Sequence, residues 1–141
     1  MQKNKGFSYS QFVIFFLSVT LIAGLALNNY FRTIEQNLER EAILQLTAIR
    51  NALNDIQDQK GRYPNCYLPD AISINNMLNL QVPATDYLFY RYIPTSEEFL
   101  LEVVSARGWT LRYDSHQPAL GIHCISKDCP TCQPSGENCQ R

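Results

Sequence analysis

Between Phe7 and Asn29 the chain carries no charged residue, and between Leu25 and Lys60 it carries neither proline nor glycine. The first absence excludes an ordinary solvated segment. At ~1.5 Å per helical residue, Phe7 to Leu27 spans roughly 30 Å, the hydrocarbon thickness of a bilayer. The second absence means that nothing breaks a helix begun near Phe7 before about Gln59, a run of roughly 80 Å. An excess of basic charge is also missing. Twelve Lys and Arg stand against thirteen Asp and Glu, a formal net charge of −1, so no long-range field draws nucleic acid or acidic lipid. No hydrolase elbow, phosphate loop or metalloprotease motif occurs. The chain is therefore expected to be non-enzymatic, with no cofactor and no nucleic acid among its partners.

What is present divides the 141 residues into an anchor and one small domain. Lys3 and Lys5 precede the apolar run and Arg32 follows it. Basic residues tend to stay cytoplasmic, so the short N-terminus is expected inside and the remainder outside. Beyond the run, Phe31, Ile34, Leu38, Ala42, Leu46, Ile49, Leu53 and Ile56 recur every three or four residues, one face of an α-helix. Arg32, Glu35, Glu39, Arg40, Arg50, Asp55 and Asp58 fall largely outside that stripe, while Ile43 and Leu44 widen it. Gly61 is placed to end the helix, and Pro64 prevents its resumption.

After Pro64 the spacing predicts a short helix over Ile72 to Leu80, with Asp70 or Ser73 as N-cap. Three strands follow: Tyr87 to Ile93, Phe99 to Ser105 and Trp109 to Tyr113, joined by turns at Pro94 to Glu97 and at Arg107-Gly108. Short connections make them an antiparallel meander. Leu88, Tyr90 and Tyr92 share one face, although their alternation does not say which face is buried. The rings around Tyr87 to Tyr92 could stack on single-stranded nucleic acid, but only Arg91, Arg107 and Arg112 are near, too few for a basic groove. The expected architecture is α+β: a long N-terminal helix packed on a small antiparallel sheet, with a stapled C-terminal tail.

The five cysteines are Cys66, Cys124, Cys129, Cys132 and Cys139, all on the outer side of the anchor. A packed region of roughly 60 to 80 residues has a marginal core, and disulfides are the usual remedy in an oxidising compartment. With His116 and His123 beside them, tetrahedral zinc is chemically conceivable. Cys129-Pro130-Thr131-Cys132 offers a thiol-exchange reading. Pro130, Pro134 and Gly136 make this a loop, and a thioredoxin-like context is absent, so disulfides are preferred and no metal is expected. An odd count leaves one thiol unpaired or intermolecular. A bond from Cys66 to a tail cysteine would close a long loop.

Lys5-Gly6-Phe7, set directly before an apolar helix, resembles the processing site of type IV prepilins and type II secretion pseudopilins. The resemblance implies cleavage between Gly6 and Phe7 by a prepilin peptidase, methylation of Phe7, and a helix retained in the mature protein. Gly61-Arg62-Tyr63-Pro64 also looks like the turn that often leaves the long helix in that family. The likeness covers Met1 to Pro64. It implies a leader at 1–6, an assembly half at 7–30, an amphipathic half at 31–60, an α+β head at 61–123 and a Cys-rich tail at 124–141. The implied partners are other pilin subunits, the peptidase and the inner-membrane assembly machinery. The implied location is the inner membrane, then a pilus or periplasmic pseudopilus.

Gln11 departs from the pattern, since the family's fifth mature residue is usually glutamate. That acid is thought to pair with a neighbouring subunit's N-terminal ammonium. Gln11 brings no charge, which points away from the bulk subunit and toward a minor one, associated in the family with the filament tip. Asn28 and Asn29 stand where many pilins have a helix-loosening proline. The competing expectation is a signal-anchored periplasmic binding or thiol-redox domain. An ordinary cleaved signal peptide fits less well, because the apolar run is long and Ala23-Gly24-Leu25-Ala26 is a poor cleavage site.

Overall fold

The structure, a computed structural model, describes residues 9–126 together with 129 and 130. Gly6, Phe7, Cys132 and Cys139 lie outside the described residues. The chain divides after Glu35 into two units, although helix α1, Tyr9–Lys60, runs through the division.

In the first unit α1 leaves its apolar side chains uncovered. Ile14, Phe15, Phe16, Leu17, Leu21, Ile22 and Leu25 are all exposed. The most apolar window of α1 has a mean hydropathy of 2.1, and none of that window is buried. The few polar side chains are turned inward on the helix itself. Ser18 Oγ donates to the Ile14 carbonyl at 2.8 Å, and Thr20 Oγ1 lies 2.9 Å from that of Leu17. Back-bonding of this kind leaves no hydroxyl proton unpaired in a medium without water. This helix is long and apolar enough to cross a membrane.

In the second unit α1 buries Glu39, Ala42, Leu46, Ile49 and Leu53. From Ala42 onward these are the stripe residues expected from periodicity. Glu39 differs: only 2% exposed, it occupies the turn below Ala42 on the covered side of the helix. Ile43 and Leu44 are exposed and do not join the core. The helix ends at Gly61, whose φ of 72° is left-handed. Its N–H donates to the Gln57 carbonyl at 2.7 Å, closing the last turn.

Helix α2, Ala71–Leu78, is capped by Asp70, whose carboxylate accepts from the Ser73 N–H at 2.7 Å. It stops at Asn79, which is left-handed with φ 51°, two turns in all. The Asn75 side chain then holds both the N–H and the carbonyl of Val82, each at 2.7 Å. The three expected strands are present as β1 (Leu88–Pro94), β2 (Phe99–Ser105) and β3 (Thr110–Asp114). A 3-10 turn, Pro118–Leu120, leads into a fourth, β4 (His123–Cys124). The sheet is antiparallel in the order β1-β2-β3-β4. Because β4 holds Cys124, the sheet reaches one residue past the expected boundary between head and tail.

Alternation decides the faces. Leu88, Tyr90 and Tyr92 are buried whereas Phe89 and Arg91 are exposed. Leu101, Val103, Leu111 and Tyr113 complete the inner face, and Trp109 is buried just before β3. These side chains form one core with the α1 stripe, with Ala71, Ile74 and Leu78 of α2, and with Leu68 and Val82. Full burial of a Leu or Ile contributes about 1.5–3 kcal/mol, so α1 supplies much of the head's stability. The Arg50 guanidinium lies 5.3 Å from the centre of the Tyr113 ring, a cation–π contact between α1 and β3.

Candidate functional site: the apolar helix and the cysteines

The expected assembly residue Gln11 stands in the first turns of α1 and is exposed. It is among the uncharged side chains of the apolar run, two residues after the described chain begins. The processing residues Gly6 and Phe7 precede that point, outside the described residues.

The cysteines do not act as one group. Cys124 and Cys129 form a disulfide, their Cα atoms 6.4 Å apart. Pairing with β3 brings them together. Cys124 pairs opposite Leu111 in β4, which turns its side chain to the core face. The following residues are tied to β3: Ile125 N–H donates to the Thr110 carbonyl at 3.0 Å. Ser126 Oγ accepts from the Thr110 N–H, also at 3.0 Å. That double clasp folds the chain back so that Cys129, itself 3% exposed, meets Cys124. The staple onto the sheet is thus a short loop within the tail, its cysteines five positions apart.

Cys66 is partly buried and has no disulfide partner among the described residues. Neither described tail cysteine is its partner, which corrects the long-loop expectation for Cys124 and Cys129. Cys132 and Cys139 lie outside the described residues. Cys66 packs on the core beside β1, where Leu68 exchanges both backbone hydrogen bonds with Tyr92, at 2.9 and 3.0 Å. The Tyr92 hydroxyl donates to the Pro64 carbonyl at 2.6 Å. Burial, with a smaller contribution from Cys66, pushes this phenol up to about 12, so it remains a donor at any ordinary pH.

The two histidines are separately engaged. His116 Nδ1 is 2.9 Å from a Glu98 carboxylate oxygen. That hydrogen bond, with the charge of Glu98 behind it, holds the imidazole pKa above its usual value of 6.5. His123 lies opposite Arg112 at the β4 edge. Among the described residues no cluster of three or more His, Cys, Asp or Glu side chains is disposed to hold a metal. Cys129 is committed to Cys124, and its expected exchange partner Cys132 lies outside the described residues.

The aromatic run of β1 is divided by the pleat. Tyr90 and Tyr92 are core residues, leaving Tyr87 and Phe89 exposed, with Arg91 on the outer row beside Phe89. Arg91 is in register with Glu102 and Glu102 with Arg112. The Arg112 guanidinium grips one Glu102 oxygen through Nε at 3.0 Å and through a terminal nitrogen at 2.6 Å. The outer sheet face is therefore charge-paired, not a basic groove.

Sequence reasoning did not find the burial of Glu39 or the existence of β4. No pattern announces a two-residue strand, and a lone glutamate beside an apolar stripe reads as solvated. Compared with known proteins, the chain matches no family model, no curated protein and no solved structure.

Proposed function

We propose that this chain is a minor pilin or pseudopilin, a non-enzymatic structural subunit of a type IV pilus or a type II secretion filament. It assembles through its N-terminal apolar helix and displays the head outside the cytoplasm. The observation that carries this reading is α1 itself. One helix, Tyr9–Lys60, is apolar and uncovered over its first part, yet amphipathic and core-forming over its second. A cleaved signal peptide has no use for the second property, and a simple anchor has no need of it. A helix that partners lipid or sister helices at one end and its own sheet at the other suits a subunit that leaves the bilayer for a filament.

Gly6 and Phe7 supply the processing step in this reading, and Gln11 the minor role. With an amide in place of a carboxylate, Gln11 makes no ion pair with a neighbouring subunit's N-terminal ammonium, and an unpaired charge there would be costly in lipid. Mature N-terminal sequencing by mass spectrometry tests the proposal. The expected product begins at N-methylated Phe7. Retention of Met1, or a cut near Ala26, would instead support a signal-anchored domain and sink the filament reading.

A further inference from the structure

Beyond assembly, the head carries a hollow that the filament reading does not use. It measures about 490 Å³ and lies between the end of α1, the segment after it and the β1–β2 turn. Six polar residues line it: Gln57, Arg62, Asn65, Thr95, Ser96 and Glu97. Among the described residues, none of these six side chains is engaged in a hydrogen bond or ion pair. Tyr63 and Pro64 also line it. The Tyr63 ring is fixed: it meets Phe99 edge-on at 4.7 Å, and its hydroxyl donates to Asn54 Oδ1 at 3.3 Å.

The chemistry of this lining selects its ligand. An anion is disfavoured, because α1 presents its carbonyl end here, the negative end of the helix dipole. One guanidinium and one carboxylate leave no net charge to draw an ion of either sign. A ligand dense in hydroxyls matches two amides, two hydroxyls, a carboxylate and a guanidinium, which together supply donors and acceptors in similar number. The C–H face of a sugar ring suits the Tyr63 and Pro64 surfaces. The volume falls within the range of small-molecule sites, about 300–1,000 Å³. We propose that this hollow binds a short neutral oligosaccharide, with the Glu97 carboxylate and the Asn65 amide accepting from its hydroxyls and Arg62 donating to them.

A second hollow shares Arg62, Tyr63, Pro64 and Asn65 with the first and adds Ile56, Lys60, Cys66 and Met77; Glu97 lines only the first and Met77 only the second, so that pair of positions tells the two apart. The test is saturation-transfer difference NMR on the full chain in a detergent without a sugar headgroup. The probes are cellobiose, maltose, lactose and N,N′-diacetylchitobiose, with glucose 6-phosphate as the charged comparison. At least one neutral disaccharide should receive saturation. Asn65→Ala and Glu97→Ala, both at exposed positions, should each weaken its binding, the latter about tenfold. Met77→Ala should leave it unchanged. The proposal is overturned if all four neutral probes are silent, if the signal survives both cleft variants, or if the phosphorylated sugar is preferred. None of these outcomes bears on whether the chain enters a filament.

Discussion

Tyr90 and Tyr92 stand two positions apart on β1 and face the same core, yet their hydroxyls are treated differently. Tyr92 reaches the Pro64 carbonyl at 2.6 Å, whereas the Tyr90 hydroxyl is buried with no partner among the described residues. Burial raises the pKa of the Tyr90 phenol, and the nearby charge of Glu41 adds to that. A buried hydroxyl without a partner costs stability, and a paired one contributes. Tyr92→Phe should therefore destabilise the head by about 1–2 kcal/mol. Tyr90→Phe should be neutral or stabilising, and paired denaturant titrations would show a loss of stability for Tyr92→Phe alone. His116 provides a second test. Its folded pKa is raised by Glu98, so the protonated pair stabilises the fold fully below the unfolded value. That contribution is lost as pH rises from 6.5 through the raised folded value. Thermal melts across that window should show the decline in the native chain and a flatter profile in His116→Gln.

Elements differ in how far their own residues announce them. The end of α1 is explicit: Gly61 has φ 72°, and a Cβ there would meet nothing within 4 Å. Gly61→Ala should thus cost about 1 kcal/mol from backbone strain alone, measurable as a lowered denaturation midpoint without loss of fold. The α1 stripe was equally readable, and it predicts a contrast between near neighbours. Leu46→Ala empties a fully buried site and should cost about 2–5 kcal/mol. Leu44→Ala, at 69% exposure, should change stability by no more than about 0.5 kcal/mol. Strands β1 to β3 were legible from runs of aromatic and branched residues. The buried face of β1 was not, since Leu88, Tyr90 and Tyr92 compete with Phe89 and Ile93 at similar apolarity. Only the neighbours across the sheet decide between them. The bonding of Cys124 to Cys129 was likewise hidden, because it depends on the Thr110 clasp and on β4, neither of which is a local sequence property. Of the expected site, Gln11, Cys66, Cys124 and Cys129 can be placed, while Gly6 and Phe7 rest on motif chemistry.

For the molecule as a whole, α1 sets two requirements at once: a medium that tolerates uncovered Phe, Leu and Ile, and a head that folds around the remainder of the same helix. A filament would bring many such heads together, where exposed sheet edges risk pairing with one another. On its open side β1 has Tyr92 occupied by Leu68 through two backbone hydrogen bonds, and the Leu88 N–H is taken by Thr85 Oγ1 at 3.2 Å. At the far edge β4 is two residues long, too short to template a strand. The Leu68–Tyr92 bridge therefore acts as a stopper. In the proposed filament it would keep the β1 edges of crowded heads from pairing into one continuous sheet.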